Sequence, residues 1–483
     1  MPLKSLLLSA LAALPLASSQ LPVGTLRNPV LWEDHPDLDV FRIGNVYYYS
    51  SSTFAYSPGA PLLRSYDLAN WEPVSHSVPT LNFGAKYALN GSRAYVKGIW
   101  ASTLRYKEKD DVWIWMGCVE GRTYVWTASG TQAGRKGGEV DPGAWAWKEG
   151  GSIASCYYDA GLLVDEEVGR MFVVYGNPRI TVAEVRLEGD GSVREVVPGK
   201  VVYEPGYTVE GARMYRKGND YYILITRPAD QEIVLRSTNG PYGPYTAKTL
   251  VNRISGPLTN AGFAHQGGMV DTPDGRWFYV AFLDAYPGGR IPVVAPMTWG
   301  SDGFPKVVVD SKGAWAQEYP IPVNTTKTVT VSTGTDEFKG KELSHHWEWN
   351  HNPENTKWRL SDGGGLVLQT VDVTTDLFAA RNTLTRRIIG PKSSGTFRLD
   401  VSGMKDGDKA GAVLFRDRSA YIGRTAVFSY SVDGGKTFVR LGPAALMVNS
   451  WQYFTGYRFG VFNHATKALG GEVKVKSFTL AKI

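Results

Sequence analysis

Residues 37–52 read DLDVFRIGNVYYYSSS: a short run of alternating apolar residues, a Gly44-Asn45 turn, and a second run rich in tyrosine. This is a β-hairpin pattern, because period-two alternation buries one face of each strand while glycine and asparagine supply the turn. Four more stretches repeat it: WASTLRYKEKDDVWIWMG from Trp100, DAGLLVDEEVGRMFVVYG from Asp159, EGARMYRKGNDYYILIT from Glu210 and HQGGMVDTPDGRWFYVAF from His265. Third and fourth strands follow most copies, as in PLLRSYDLANWEPV and RIPVVAPMTW. Four strands recurring every ~50–65 residues are the signature of a propeller blade. Helical periodicity is scarce, so the chain is expected to be all-β, with a five-bladed β-propeller over residues 20–315.

Superposing the copies on the apolar residue in the middle of the first strand aligns Phe41, Leu104, Leu163, Met214 and Met269. Four positions upstream stand Asp37, Trp100, Asp159, Glu210 and His265. Equivalent positions in a radial fold are equivalent in space, so these side chains should ring the axis at one mouth of the innermost strands. Three carboxyl groups converging on one cavity are costly to ionise together and push each other's pKa values apart, which is what acid–base catalysis uses. Asp39, two residues after Asp37, reads as a strand-edge hydrogen-bonding group.

The first residues, MPLKSLLLSALAALPLASSQ, carry Lys4, an apolar core from Leu6 to Leu16, and small residues at Ala17 and Ser19. They form a secretory signal over residues 1–19 and make the mature chain extracellular. The tripeptides beginning at Asn90 and Asn324 are glycosylation acceptors that fit this route. No later run has the ~20 apolar residues of a spanning helix, so no membrane partner is expected. The net charge of +6 is dispersed, which leaves nucleic acid and acidic lipid no docking site. Cys118 and Cys156 are the only cysteines; secretion permits a single bridge between them, and two buried free thiols are the preferred expectation. Fifteen Trp and 26 Tyr mostly pack sheet cores, and their flat faces also suit sugar rings.

Asn28-Pro29, HPDLDVFRIGNVYYYSSST, WASTLRY, YYDAGLLVD, VEGARMYRKGNDYYILIT, LRSTNGPYGPY, HQGGMVDTPDGRWFYV and GGRIPVVAPMTW, in this order and spacing, resemble glycoside hydrolase family 43. That resemblance implies a five-bladed propeller that removes arabinose or xylose from plant polysaccharide with inversion, and needs no cofactor for its chemistry. It implies that Asp37 is the general base, Glu210 the general acid, and Asp159 the acid that orients and tunes the proton donor. Ala160-Gly161 follows Asp159 where many members have Pro-Ser. The resemblance also makes Trp100 an apolar wall for the sugar and Arg290 a substrate contact. It sets His265 against a cation or water cluster on the axis; a metal there would be calcium held mostly by water. No permanent cation is evident beside Glu210, and the Asp159 charge is expected to keep its pKa high.

After a linker over 316–335, a new alternation runs through GGLVLQTVDV, GTFRLDVSGM, AGAVLFRD and GEVKVKSFTLA, which predicts a β-sandwich over 336–483. WEWNHNPENTKW and AARNTLTRRIIGP are similar to the concanavalin A-like sandwich that follows the propeller in many members. Arg424-Thr425 joins SAYIG directly to FSYSVDGG where relatives have a longer stretch, so strands are expected to be missing there. Trp347, Trp349 and Asn350 are candidates for the pocket rim. The expected activity is a monomeric, secreted α-L-arabinofuranosidase acting on arabinoxylan, with a β-xylosidase as the alternative. A catalytically silent glycan-binding propeller is the alternative of another class.

Overall fold

The structure, a computed structural model, describes residues 24–130, 145–416, 424–447 and 450–483; the expected signal segment lies outside them. Five four-stranded antiparallel sheets follow one another along the chain. The first is Asp39–Ile43, Val46–Ser50, Gly59–Ser65 and Glu72–Val78. Thr103–Lys107, Val112–Val119, Arg122–Ser129 and Lys148–Ile153 form the second. Gly161–Asp165, Arg170–Tyr175, Ile180–Leu187 and Val193–Tyr203 form the third. The fourth is Glu210–Lys217, Asp220–Arg227, Gln231–Ser237 and Thr246–Asn252. His265–Asp271, Trp277–Asp284, Arg290–Trp299 and Pro305–Val307 complete the set. The first strand of each sheet lies beside the first strands of its two neighbours, and the fifth returns to the first. The sheets are therefore propeller blades around one axis.

Each blade is made by the hairpin seen in the sequence. In blade one Ile43 pairs with Val46 across Gly44-Asn45, and Gly44 takes the left-handed φ of 57° that a tight turn requires. Aromatic residues fill the wedges between blades: Tyr48, Trp113 and Trp126 share one buried cluster with Ile99 and Leu104. Thr25–Arg27 pairs with Glu318–Pro320, inside the expected linker. Asn28 extends this seam by exchanging hydrogen bonds of 2.8 Å with both backbone groups of Val294 in blade five.

Two sheets form the sandwich. Gly334–Asp336, Glu472–Lys482, Leu366–Gln369 and Trp358–Leu360 lie in one, with Ser393–Asp400 also paired to Glu472–Lys482. The other runs Asp408–Phe415, Arg458–Ala465, Leu384–Arg387, Glu348–Asn350 and finally Tyr56–Ser57. That last strand belongs to blade one's excursion, so the sandwich sheet ends on propeller backbone. Beneath it, fully buried Glu348 accepts from Arg387 Nη1 at 2.8 Å, Arg458 Nη1 at 2.6 Å and His76 Nε2 of blade one at 3.1 Å.

At and after the Arg424-Thr425 junction, neither large sheet gains a strand from the described residues 424–447. Among the described residues, Arg424–Ala426 pairs only with Ala445–Met447, and Ser429–Tyr430 only with Val439–Arg440. Val432 is 92% and Leu441 60% exposed, so this ribbon contributes little to a core.

Cys118 at the end of blade two's second strand and Cys156 on the approach to blade three are disulfide-bonded, which corrects the expectation of free thiols. Blade two reverses the chain so that its exit returns beside its middle, bringing the two Cα atoms to 5.1 Å at a half-buried position.

Candidate active site

Glu210 and His265 open the first strands of blades four and five. Asp37 and Asp159 stand just ahead of those of blades one and three, and Trp100 ahead of blade two's. The five aligned positions thus share one mouth of the propeller. Local backbone aims them. Asp37 and Asp159 take φ of 55° and 51°, a conformation rare for residues with a Cβ and retained where the surroundings enforce it. Glu210 and His265 each precede a β-bulge, which re-aims side chains at a strand end. Gly211 has φ 67°, and a Cβ there would lie 2.6 Å from Gln266 Cγ, so the residue after Glu210 must be glycine.

Arg213 holds the three acid-bearing segments together. Its Nε donates to Leu38 O at 3.0 Å, Nη1 to Ala160 O at 2.7 Å, and Nη2 to Asp37 O at 3.2 Å. A planar fork with fixed donor directions suits such a junction better than an ammonium would. Fully buried Asp39 balances the charge, with Oδ1 3.8 Å from Arg213 Nε. Asp39 Oδ2 accepts from Thr103 Oγ1 at 2.7 Å, Leu104 N at 3.0 Å and Arg105 Nη1 at 2.6 Å, leaving it a structural role.

Above this frame, Asp37 Oδ1 accepts from Arg290 Nη1 at 2.6 Å and Oδ2 from Ser52 Oγ at 2.7 Å. Asp159 Oδ2 accepts from Gly211 N at 3.1 Å, and Glu210 Oε2 from Asn177 Nδ2 at 2.9 Å and Tyr158 Oη at 3.4 Å. Burial, then the Glu210 and Asp37 charges, push the Asp159 carboxyl well above the usual range. Burial, then the Asp37 charge, raise Glu210, against a lowering pull from Arg290. The Asp159–Glu210 pair therefore retains a proton where ordinary carboxyl groups have lost theirs. This corrects the expected source of the effect. Arg290 is a cation acting on Glu210, and the charge that raises Glu210 beyond burial is that of Asp37 rather than of Asp159.

Trp100 donates from Nε1 to Val96 O at 3.1 Å and meets Tyr158 edge-on, with centroids 6.1 Å apart, which sets it in the wall beside Glu210. Arg290 also stands 3.5 Å from Asp284 Oδ1 and stacks on Phe282 and Phe454 at 5.1 and 5.3 Å. His265 is 3% exposed; with Nδ1 donating to Phe263 O at 2.8 Å, the Nε2 lone pair is directed away from that carbonyl, 4.0 Å from Asp284 Oδ2. Burial lowers its pKa and keeps the ring neutral, as a metal-facing imidazole requires. Among the described residues no three His, Cys, Asp or Glu side chains converge as metal ligands, so a calcium ion at His265 would take most of its shell from water.

The expected rim residues do not reach the site. Trp347, Trp349 and Asn350 are 2%, 3% and 1% exposed, the tryptophans packed in the sandwich core because their short strand is flanked on both sides. The sandwich instead offers Phe454, stacked on Phe54 of the propeller at 5.8 Å, and beside it Trp451, 62% exposed. Gly456 N anchors this segment on Asp34 Oδ2 at 2.8 Å, and Asp34 Oδ1 accepts from the Arg290 N–H at 2.7 Å.

Residues 26–305 match the glycosyl hydrolases family 43 pattern. The chain belongs to glycosyl hydrolase family 43. Residues 335–425 match the beta-xylosidase C-terminal concanavalin A-like domain. The chain is 28% identical to a beta-xylosidase of Formosa agariphila, covering 94% of this chain and 90% of that one. That alignment runs over 555 positions, more than the 483 residues here, so gaps open in this family 43 chain. A non-reducing end alpha-L-arabinofuranosidase of Bacteroides ovatus is 27% identical over 74% of this chain and 67% of its own. A solved GH43 glycoside hydrolase, described as engineered to display both endo-xylanase and exo-arabinofuranosidase activity, superposes with a TM-score of 0.90. It shares 56% identity, with 95% of this chain and 100% of that one covered.

Ser52, Tyr158, Asn177, Asp284 and Phe454 reach this site without having been marked in the sequence. Tyr158 adjoins Asp159 and was findable from that neighbour. Ser52 is one of several consecutive hydroxyl residues, Asn177 reads as a turn former, and Phe454 lies in the other domain.

Proposed function

We propose that this family 43 glycoside hydrolase removes terminal α-L-arabinofuranosyl groups from arabinoxylan with inversion. The observation that carries the chemistry is the contrast between two carboxyl groups in one cavity. Asp37 is gripped by a guanidinium and a hydroxyl, whereas Glu210 belongs to a pair that keeps a proton. In this reading Asp37 takes a proton from water as its oxygen bonds to the anomeric carbon. The bond to the leaving oxygen breaks, and Glu210 delivers its proton there. Solvent then reprotonates Glu210 and deprotonates Asp37. Arg290 and the Trp100–Tyr158 wall bind the sugar, and Asp159 tunes the donor.

Arabinose as the product is supported by the exo-arabinofuranosidase activity that the engineered GH43 enzyme, the most similar of the relatives described, displays beside endo-xylanase activity. The β-xylosidase reading is supported by the Formosa agariphila relative and by the class of the C-terminal domain. The first-formed sugar from wheat arabinoxylan, followed by proton NMR before mutarotation, separates them. β-Arabinofuranose is expected; α-arabinofuranose would overturn inversion, and xylose as main product would favour the alternative. Secretion and a water-rich calcium site at His265 complete the proposal. Chelation should lower the melting temperature and calcium restore it; insensitivity to both would remove the ion.

A further inference from the structure

Asn177 lies on the exposed turn between the second and third strands of blade three, thirty-three residues before Glu210. Its placement is fixed locally. Gly176 N donates to Tyr158 O at 2.9 Å, and Gly176 has φ 125°, where a Cβ would sit 1.9 Å from Arg179 O. The turn is thereby tied to the backbone that carries Tyr158 and Asp159. From it, Asn177 Nδ2 reaches Glu210 Oε2 at 2.9 Å; Tyr158 Oη approaches the same oxygen at 3.4 Å, and among the described residues no donor reaches Oε1.

A carboxyl oxygen that accepts an N–H cannot direct its own proton along the same line. We propose that Asn177 is a positioning residue for the proton donor: its amide keeps Glu210 Oε2 an acceptor, so that the transferable proton resides on Oε1. The same bond stabilises the carboxylate left after transfer and offsets part of the upward push that burial exerts on Glu210. Asn177 thus sets both where the proton sits and how readily it leaves. The opposite amide orientation, with the side-chain oxygen accepting from protonated Glu210, would lock the proton away from substrate and stabilise the neutral acid.

This rests on Glu210 being the general acid, and the test separates the two claims. The pH dependence of kcat/KM is measured for the native enzyme, Asn177→Ala and Glu210→Gln, with melting temperatures as controls on folding. Removing a donor to the carboxylate should move the high-pH limb of Asn177→Ala upward by about half to one unit. Activity should fall about tenfold on polysaccharide and much less on a 4-nitrophenyl glycoside, whose leaving group needs little protonation. A limb that stays in place or moves down, while disappearing in Glu210→Gln, would overturn the role of Asn177 alone. A limb that survives in Glu210→Gln would overturn the acid assignment and this proposal with it.

Discussion

Arg290 Nη1 stands 2.6 Å from Oδ1 of Asp37. With Ser52 Oγ on the other oxygen, both faces of the carboxylate meet donors, so Asp37→Asn would turn an amide N–H against one of them. Activity should fall at least about 10³-fold on every substrate, because water then lacks its base. Glu210→Gln should fall as far on polysaccharide yet recover much of its rate on an aryl glycoside that departs unprotonated. Steady-state kinetics on both substrates check this, and equal losses would contradict the role assignment.

Acid should weaken the fold through the domain junction. His351 is fully buried, its Nε2 accepts from Ala94 N at 2.9 Å and its Nδ1 faces Asn350 Oδ1 at 2.9 Å, so a second ring proton would break the bond from Ala94. Burial, then Arg93, lower its pKa to about 3. A basic group depressed in the folded state binds its proton more readily when unfolded. Stability from this group is therefore complete above about pH 6.5 and lost as pH falls toward 3, at about 1.4 kcal/mol per unit. Melting temperature should decline below pH 6.5, and His351→Asn, which tolerates the left-handed φ of 66° found there, should flatten the decline.

Reduction should also be felt. The Cys118–Cys156 bridge closes a loop of 38 residues, for which chain entropy gives roughly 3–4 kcal/mol. Cys156→Ser should lower the melting temperature by several degrees, and dithiothreitol should do the same to the native enzyme but not to the variant.

Limited proteolysis should cut first within residues 425–447. Among the described residues that ribbon is paired only to itself, and it exposes Val432 and Leu441, so its local opening costs little free energy. Mass spectrometry of early fragments locates the cut; first cleavage within a blade would contradict the expectation.

The propeller was legible because each hairpin repeats the same alternation, and superposing those repeats was enough to gather Asp37, Trp100, Asp159, Glu210 and His265 at one mouth. What stayed hidden depends on contacts between distant segments. The charge environment of Glu210 could not be read, because Arg290 arrives from another blade. Trp347 and Trp349 looked like rim residues, yet burial is decided by which strands flank them, and one of those flanking segments comes from the propeller. The bridge was misjudged because two cysteines in a long chain carry no information on how the intervening strands fold back.

Tyr56–Ser57, leaving blade one to become the outermost strand of the sandwich sheet, makes the two domains share a backbone ladder. Neither half is a detachable cassette. Cutting the gene between them would leave Trp349–Asn350 with an unpaired edge, and would leave buried Glu348 facing two arginines without its histidine. Grafting this sandwich onto another catalytic unit, as is done with tethered carbohydrate-binding modules, would require transplanting part of the host's own first blade as well.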